Sequence, residues 1–304
     1  MTNTQEQVQQ GDIVARLTAF QPTTDWFVGV DSDGCVFDAM EIKHKECFIP
    51  NIINCWDLQA VAKFAREAAE YVNLYSINRG VNRFPGLVMV FDLLAERPEV
   101  IRRGVRLPEV PALRAWIQRE TRLGNPALQA EAHKTGDPGL ARALAWSEAV
   151  NRAIGEIVRG VPPFPFVRES LEKLAPRADI VVVSATPGEA LAREWREHRI
   201  DGYARAIAGQ ELGSKKEHLT LAAGGKYPPE GILMIGDAPG DLSAGRAVGA
   251  LFYPIVPGHE DASWERFFSE GADRFFAGTY AGAYEDARIE EFLKVLPEAP
   301  PWRT

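Results

Sequence analysis

Three short apolar runs punctuate the chain: Trp26-Phe27-Val28-Gly29-Val30, Ile180-Val181-Val182-Val183 and Ile232-Leu233-Met234-Ile235. Each ends in polar residues, and two are rich in β-branched side chains. Strands covered on both faces of a parallel sheet carry this pattern. Ahead of the second run, Val167, Leu171 and Leu174 fall at i, i+4, i+7, the apolar stripe of an amphipathic helix. Behind it, Thr186-Pro187-Gly188-Glu189 reads as the N-cap, first-turn proline and capping-box glutamate of a helix running to about His198. The third run meets a turn-rich loop, Gly236-Asp237-Ala238-Pro239-Gly240-Asp241, that leads into a helix closed by Gly249. The alternation predicts an α/β fold, a parallel sheet flanked by helices, with polar residues at the carboxyl ends of its strands. Open sheets of this kind bind ligands there.

Between the first and second runs the periodicity changes. From Trp56 to Val72 the apolar residues Leu58, Val61, Ala62, Ala65, Ala68, Ala69 and Val72 recur at helical spacing, and further helices are expected over Pro111–Thr121 and Pro138–Val158. Val161-Pro162-Pro163-Phe164-Pro165 then reads as a stiff linker. The expected organisation is an N-terminal extension over 1–24, an α/β part over 25–40 and 161–304, and a mainly helical insertion over 41–160. A length of 304 residues suits such a core with one inserted domain.

Composition narrows the function classes. A hydrophobic content of 46% with 25% charged residues is that of an ordinary globular protein. The formal charge of −8 provides no general attraction to nucleic acid or to an anionic membrane, so neither is an expected partner. Cys35, Cys47 and Cys55 form neither a disulfide framework nor a zinc spacing, and Cys35 and Cys47 read as small buried residues. The first residues lack a basic start followed by an apolar run, and no apolar stretch approaches the roughly 20 residues of a membrane span. A cytoplasmic location is expected.

The chemistry gathers in the loops after the apolar runs. Asp31-Ser32-Asp33-Gly34 sets two carboxylates two residues apart at a strand end, where desolvated like charges require a cation or a shared proton. A turn built from Asp and Gly explains that loop alone. It explains less well a second acidic loop, carrying Asp237 and Asp241, after another buried strand. Oxygen ligands drawn from a few carboxylates suit magnesium. Ser184 occupies the corresponding position after Val183, where a hydroxyl and nearby amides donate to phosphoryl oxygens. Ser214-Lys215-Lys216-Glu217 has capping-box spacing, and a lysine in a first helical turn opposes the helix dipole. Adjacent helix positions diverge by about 100°, so one of Lys215 and Lys216 points into an anionic site.

In this order, Asp31-Ser32-Asp33-Gly34, Ser184, Lys215 and Gly236 to Asp241 resemble the four motifs of the haloacid dehalogenase superfamily. The helical insertion looks like that superfamily's type I cap, and the core like its Rossmann-like fold. The resemblance implies a magnesium-dependent phosphohydrolase acting through an aspartyl-phosphate on Asp31, with Asp33 as general acid and base. Ser184 and Lys215 would hold phosphoryl oxygens, and Asp31, Asp33, Asp237 and Asp241 would serve the metal, with Asp241 either beside Asp237 or orienting the lysine. The lysine lacks the proline that follows it in many relatives, so Lys216 stays an alternative to Lys215. Asp33 disfavours a haloacid dehalogenase, which needs no proton for a halide. A phosphomutase shares every core residue, and a catalytically silent binding module is a further alternative.

A capping insertion points to a small phosphorylated metabolite as substrate, since closure must exclude water from the phosphoryl group. Within the insertion, Arg79, Arg83 and Lys43 are candidate contacts for a second anionic group of such a substrate. His133, His198, His218 and His259 have no ligand spacing and receive no role. The aromatic residues Trp264, Phe267, Phe268, Phe275 and Phe276 read as core packing.

Overall fold

The computed structural model describes residues 17–303. The expected N-terminal extension therefore falls, through residue 16, outside the described residues. The chain divides into two compact units, one from the described part of Met1–Asp38 with Gly160–Val295, the other from Ala39–Arg159 with the last residues from Leu296.

The first unit is an α/β sandwich. Its strands are β1 (Trp26–Val30), β2 (Ala178–Val183), β3 (Ala206–Ala208), β4 (Ile232–Gly236) and β5 (Leu251–Pro254), in the spatial order β3-β2-β1-β4-β5 with every pairing parallel. β1 is central, and the order reverses on its two sides. The register sets Val30 beside Val182 and Ile235, so Asp31, Ser184 and Asp237 follow within two residues of one row. Of these strands, β2 is buried along its whole length, and from Ile180 to Val183 its sequence is a continuous apolar run. The flanking helices used below are α1 (Val167–Leu174), α2 (Gly188–Glu197), α3 (Lys215–Ala222) and α4 (Pro239–Ala247). Gly29 lets α3 approach β1, since a Cβ there would lie 2.8 Å from Leu219 Cδ2.

Residues 17–24 pack on this unit: Leu17 and Phe20 are buried, and the Thr23 N–H donates to Asp179 at 2.8 Å. Of the aromatic residues expected to pack in the core, Trp264, Phe267, Phe275 and Phe276 are buried in it, and Phe268 is half-buried. Trp264, Phe267 and Phe275 are fully buried, and Phe275 meets Trp26 edge-on at 4.8 Å.

The second unit is helical and contains no strand among its described residues. Its longer helices are Ala62–Asn73, Arg83–Glu96, Pro111–Arg119, Asn125–Thr135 and Pro138–Ile157. The stripe expected from Trp56 to Val72 is interrupted: a helix ends at Cys55, Asp57 takes φ 55°, and a 3-10 turn over Gln59–Val61 precedes Ala62–Asn73. Leu58 and Val61 are nevertheless buried, so the spacing tracked burial across the break.

The sequence division carried the α/β part to residue 304, whereas residues from Leu296 onward cluster with the helices. Trp302 and Phe64 both stack on the Arg97 guanidinium, at 4.3 and 4.6 Å, and Tyr71 donates to the Pro297 carbonyl. Among the described residues no helix is long and apolar enough to cross a membrane.

Candidate functional site

The end of β1 sets the first carboxylate. Asp31 N–H donates to Ile235 O at 2.9 Å, extending the ladder one residue beyond Val30 and holding Asp31 against β4. The chain then folds back: Val36 and Phe37 N–H donate to Ser32 O, and Gly34 N–H to Phe37 O. Gly34 takes φ 78°, a left-handed conformation that glycine adopts without steric cost. Asp31 and Ser32 are buried, and Asp33 is part-exposed. Trp195 of α2 donates from Nε1 to Ser32 Oγ at 3.0 Å, fixing the loop from the helix side.

The end of β4 supplies two more. Asp241, in the first turn of α4, turns back so that its Oδ2 accepts from Ala238 N–H at 3.1 Å. A Cβ at position 236 would lie 2.5 Å from Asp241 Cβ and Cγ, so glycine is required for this approach. Asp237 is 1% exposed and Asp241 0%. Oxygens of Asp31, Asp237 and Asp241 lie within 4.8 Å of one another.

Lys215 completes the cluster. Ser214 caps α3 and Glu217 reaches back in a capping box, as the sequence indicates. From the first position of that helix, Lys215 Nζ lies 2.6 Å from Asp31 Oδ2 and 2.6 Å from Asp241 Oδ1, while Lys216 is exposed. Burial alone would lower the lysine pKa, but Asp241, Asp31 and Asp237 together drive it well above its ordinary value, so the ammonium stays charged. The Asp31 pKa rises as well, which for a carboxylate favours the neutral form. Burial pushes its pKa well up, the charges of Asp241 and Asp237 add to the effect, and Lys215 opposes it.

The charge balance decides what can bind. With all three carboxylates ionised, the Lys215 ammonium offsets one of their charges within a largely buried cluster. An all-oxygen donor set with that deficit fits one hard divalent cation of the magnesium type.

Ser184 is 2% exposed, and its backbone N–H donates to Ala208 O. Its Oγ accepts from Thr186 N–H at 3.3 Å, which leaves the hydroxyl proton for another acceptor. Thr186 departs from its expected role as helix N-cap. α2 starts at Gly188 without a side-chain cap from Pro187, and the carboxylate of Glu211 receives the Gly188 N–H instead. The Thr186 hydroxyl donates to Asp33 Oδ2 at 2.6 Å. Sequence reading missed this partner, because the two residues are far apart in the chain and Thr186 lies in a bend beyond the end of β2.

Lys43, Arg79 and Arg83 lie in the helical unit. Lys43 opens a π-helical turn over Lys43–Phe48. Arg79 is 4% exposed and donates to Leu74 O at 3.0 Å. Arg83 donates to Ser147 Oγ at 2.9 Å and Asn151 Oδ1 at 2.8 Å, stands over the Phe48 ring, and is lowered to about 10 by burial.

No protein-family model matches the chain, and no curated protein matches it. Solved structures do. A hydrolase of the haloacid dehalogenase superfamily, subfamily IA, variant 1, from Geobacter sulfurreducens PCA shares 18% identity over 77% of this chain and 89% of its own, with a TM-score of 0.38. A haloacid dehalogenase-like family hydrolase from Streptococcus pneumoniae shares 12% over 80% and 92%, with a TM-score of 0.41. A predicted phosphoglycolate phosphatase from Haemophilus somnus 129pt shares 14% over 77% and 86%, with a TM-score of 0.43. A putative beta-phosphoglucomutase from Thermotoga maritima is similar as well, with 16% identity over 75% and 84% and a TM-score of 0.35. At such identities and TM-scores, a functional reading rests on the chain's own residues.

Proposed function

We propose that the chain is a magnesium-dependent phosphohydrolase of the haloacid dehalogenase superfamily, cleaving a small phosphorylated metabolite through an aspartyl-phosphate on Asp31. The observation that carries this reading is the Lys215 ammonium, 2.6 Å from both Asp31 and Asp241 beside Asp237, at the carboxyl end of a parallel sheet.

Asp31 is the nucleophile, and its attack on phosphorus divides hydrolysis into two easier displacements. Asp33 protonates the leaving oxygen and then takes a proton from the water that releases phosphate, a role worth roughly 10²–10⁴-fold. Lys215 and Ser184 hold the phosphoryl oxygens while negative charge builds on them. Asp31, Asp237 and Asp241, with the Asp33 carbonyl, would hold the magnesium ion, which when bound supplies further positive charge against the same oxygens. Lys43, Arg79 and Arg83 are proposed contacts for a second anionic group. The partners of the Arg83 guanidinium are neutral acceptors, Ser147 and Asn151. A cytoplasmic location belongs to the same reading, supported by three cysteines that are all free.

The test is phosphate release from a panel of small phosphate esters with and without magnesium, for wild type and Asp31→Asn. Turnover that needs magnesium and vanishes in the variant is expected. A wild type inert across the panel would move the reading to a binding module. Isomerisation of a bisphosphorylated sugar without free phosphate would move it to a phosphomutase.

A further inference from the structure

Thr186 is held in place yet has no cap to make. Its N–H donates to Ser184 Oγ at 3.3 Å and its carbonyl accepts from Gln210 N–H at 3.0 Å. Glu211 meets the Gly188 N–H at 3.1 and 3.2 Å, taking over the amino end of α2. That approach depends on Gly209, where a Cβ would lie 2.4 Å from Gly188 N and 2.8 Å from Glu211 Oε2. The Thr186 hydroxyl is thereby spared for a residue 153 positions away, and it reaches Asp33 Oδ2 at 2.6 Å.

We propose that Thr186 is a positioning residue for Asp33, fixing which of its two oxygens handles the proton. The inference rests on the phosphohydrolase reading. Oδ2 accepts the hydroxyl proton of Thr186, and the proton that Asp33 transfers is assigned to Oδ1. In the first displacement an Asp31 oxygen bonds phosphorus, the bond from phosphorus to the leaving oxygen breaks, and that oxygen's electron pair takes the proton from Oδ1. In the second, water gives a proton to Oδ1 as its oxygen bonds phosphorus, and the bond from phosphorus to Asp31 breaks to restore the carboxylate and release inorganic phosphate. Thr186 touches no reacting atom. It stops the short Asp33 side chain from turning among staggered positions, which would take Oδ1 out of line.

The decisive comparison sets a poor leaving group against a good one. An alkyl phosphate needs its leaving oxygen protonated, whereas p-nitrophenyl phosphate releases a stable phenolate unaided. The ratio kcat/KM reports the steps through loss of the alcohol, before the shared hydrolysis of the intermediate. Thr186→Val is expected to lower kcat/KM on the alkyl phosphate roughly 10–100-fold and on p-nitrophenyl phosphate less than about 3-fold, and Thr186→Ser to restore the alkyl rate to within about 3-fold. An equal fall on both esters, no fall on either, or failure of Ser to rescue would overturn the assignment of Thr186 while wild type remains active and Asp31→Asn dead. A wild type that hydrolyses neither ester, or an Asp31→Asn that keeps its rate, would overturn the phosphohydrolase reading and this inference with it.

Discussion

Lys215 Nζ lies 2.6 Å from Asp241 Oδ1, and Asp241 is fully buried with its other oxygen held by the Ala238 N–H. A lysine so placed neutralises a carboxylate that cannot swing away, and it keeps the ammonium aimed between β1 and β4. The neighbouring lysine is exposed and has no part in this cluster. Lys215→Met is therefore expected to lower kcat on an active phosphate ester by about 10²–10³-fold, the scale of losing one donor to a charged transition state. Lys216→Met should stay within about 2-fold. Steady-state kinetics on both variants checks this, and the reverse ranking would reassign the phosphate-binding lysine.

Burial and the charges of Asp241 and Asp237 raise the Asp31 pKa against the opposing pull of Lys215, so its charge is costly in this cluster of three acids. Asp31→Asn should thus melt no lower than wild type in chelator, even though it abolishes turnover. The same crowding predicts that magnesium stabilises the wild type, by about 2.7 kcal/mol at a hundredfold excess over its dissociation constant. Asp237→Asn, which removes one of the three carboxylates, should lose most of that shift. Thermal melts with magnesium and with chelator measure both effects, and a wild-type midpoint indifferent to magnesium contradicts the assigned metal site.

Where one local rule governed, the sequence was legible. Continuous apolar runs marked β1, β2 and β4 because burial on both faces leaves no polar alternation, and the weaker strands β3 and β5 went unremarked because three or four residues carry too little pattern. Ser214 and Glu217 formed the capping box their spacing indicated, since cap and partner are three residues apart. Thr186 obeyed no such rule. Glu211 displaced it from the helix end through a contact that needs Gly209, and its own partner, Asp33, is distant in sequence. The grouping of the last residues with the helices was equally hidden, because it depends on Trp302 meeting Arg97 across 205 positions of chain.

His218, given no role from sequence, lies fully buried on α3. Burial lowers its pKa to about 4 from an ordinary 6.5, and the nearby Lys215 charge adds to the effect. The folded protein therefore keeps it neutral while the unfolded chain protonates it. Stability from this residue is complete above pH 6.5 and is lost as pH falls toward 4. Between pH 7 and pH 5 the loss is about 2 kcal/mol. His218→Leu cannot titrate, so its urea midpoint should fall less than that of wild type over this interval. Parallel pH dependence of the two proteins would show that the imidazole is already charged in the fold.

Asp179 offers the opposite case, a carboxylate the fold requires in its charged form. It is 1% exposed near the amino end of β2 and accepts from the Thr23 N–H and hydroxyl, Arg205 and the Tyr227 hydroxyl. Burial alone would raise its pKa, but hydrogen bonds from Thr23, Tyr227 and Arg205 outweigh that and hold it below the ordinary carboxylate value. Asp179→Asn keeps the size, removes the charge and turns one acceptor into a donor facing donors. Such a change in a buried, hydrogen-bonded charge network costs about 3–5 kcal/mol. Because Ser184 lies past the other end of the same strand, the chemistry should be untouched. Chemical denaturation should show the full loss, while kcat measured well below the melting temperature stays within about 2-fold of wild type. A variant that kept its stability but lost kcat would mean that Asp179 serves the reaction rather than the anchoring of residues 23–24 to the sheet.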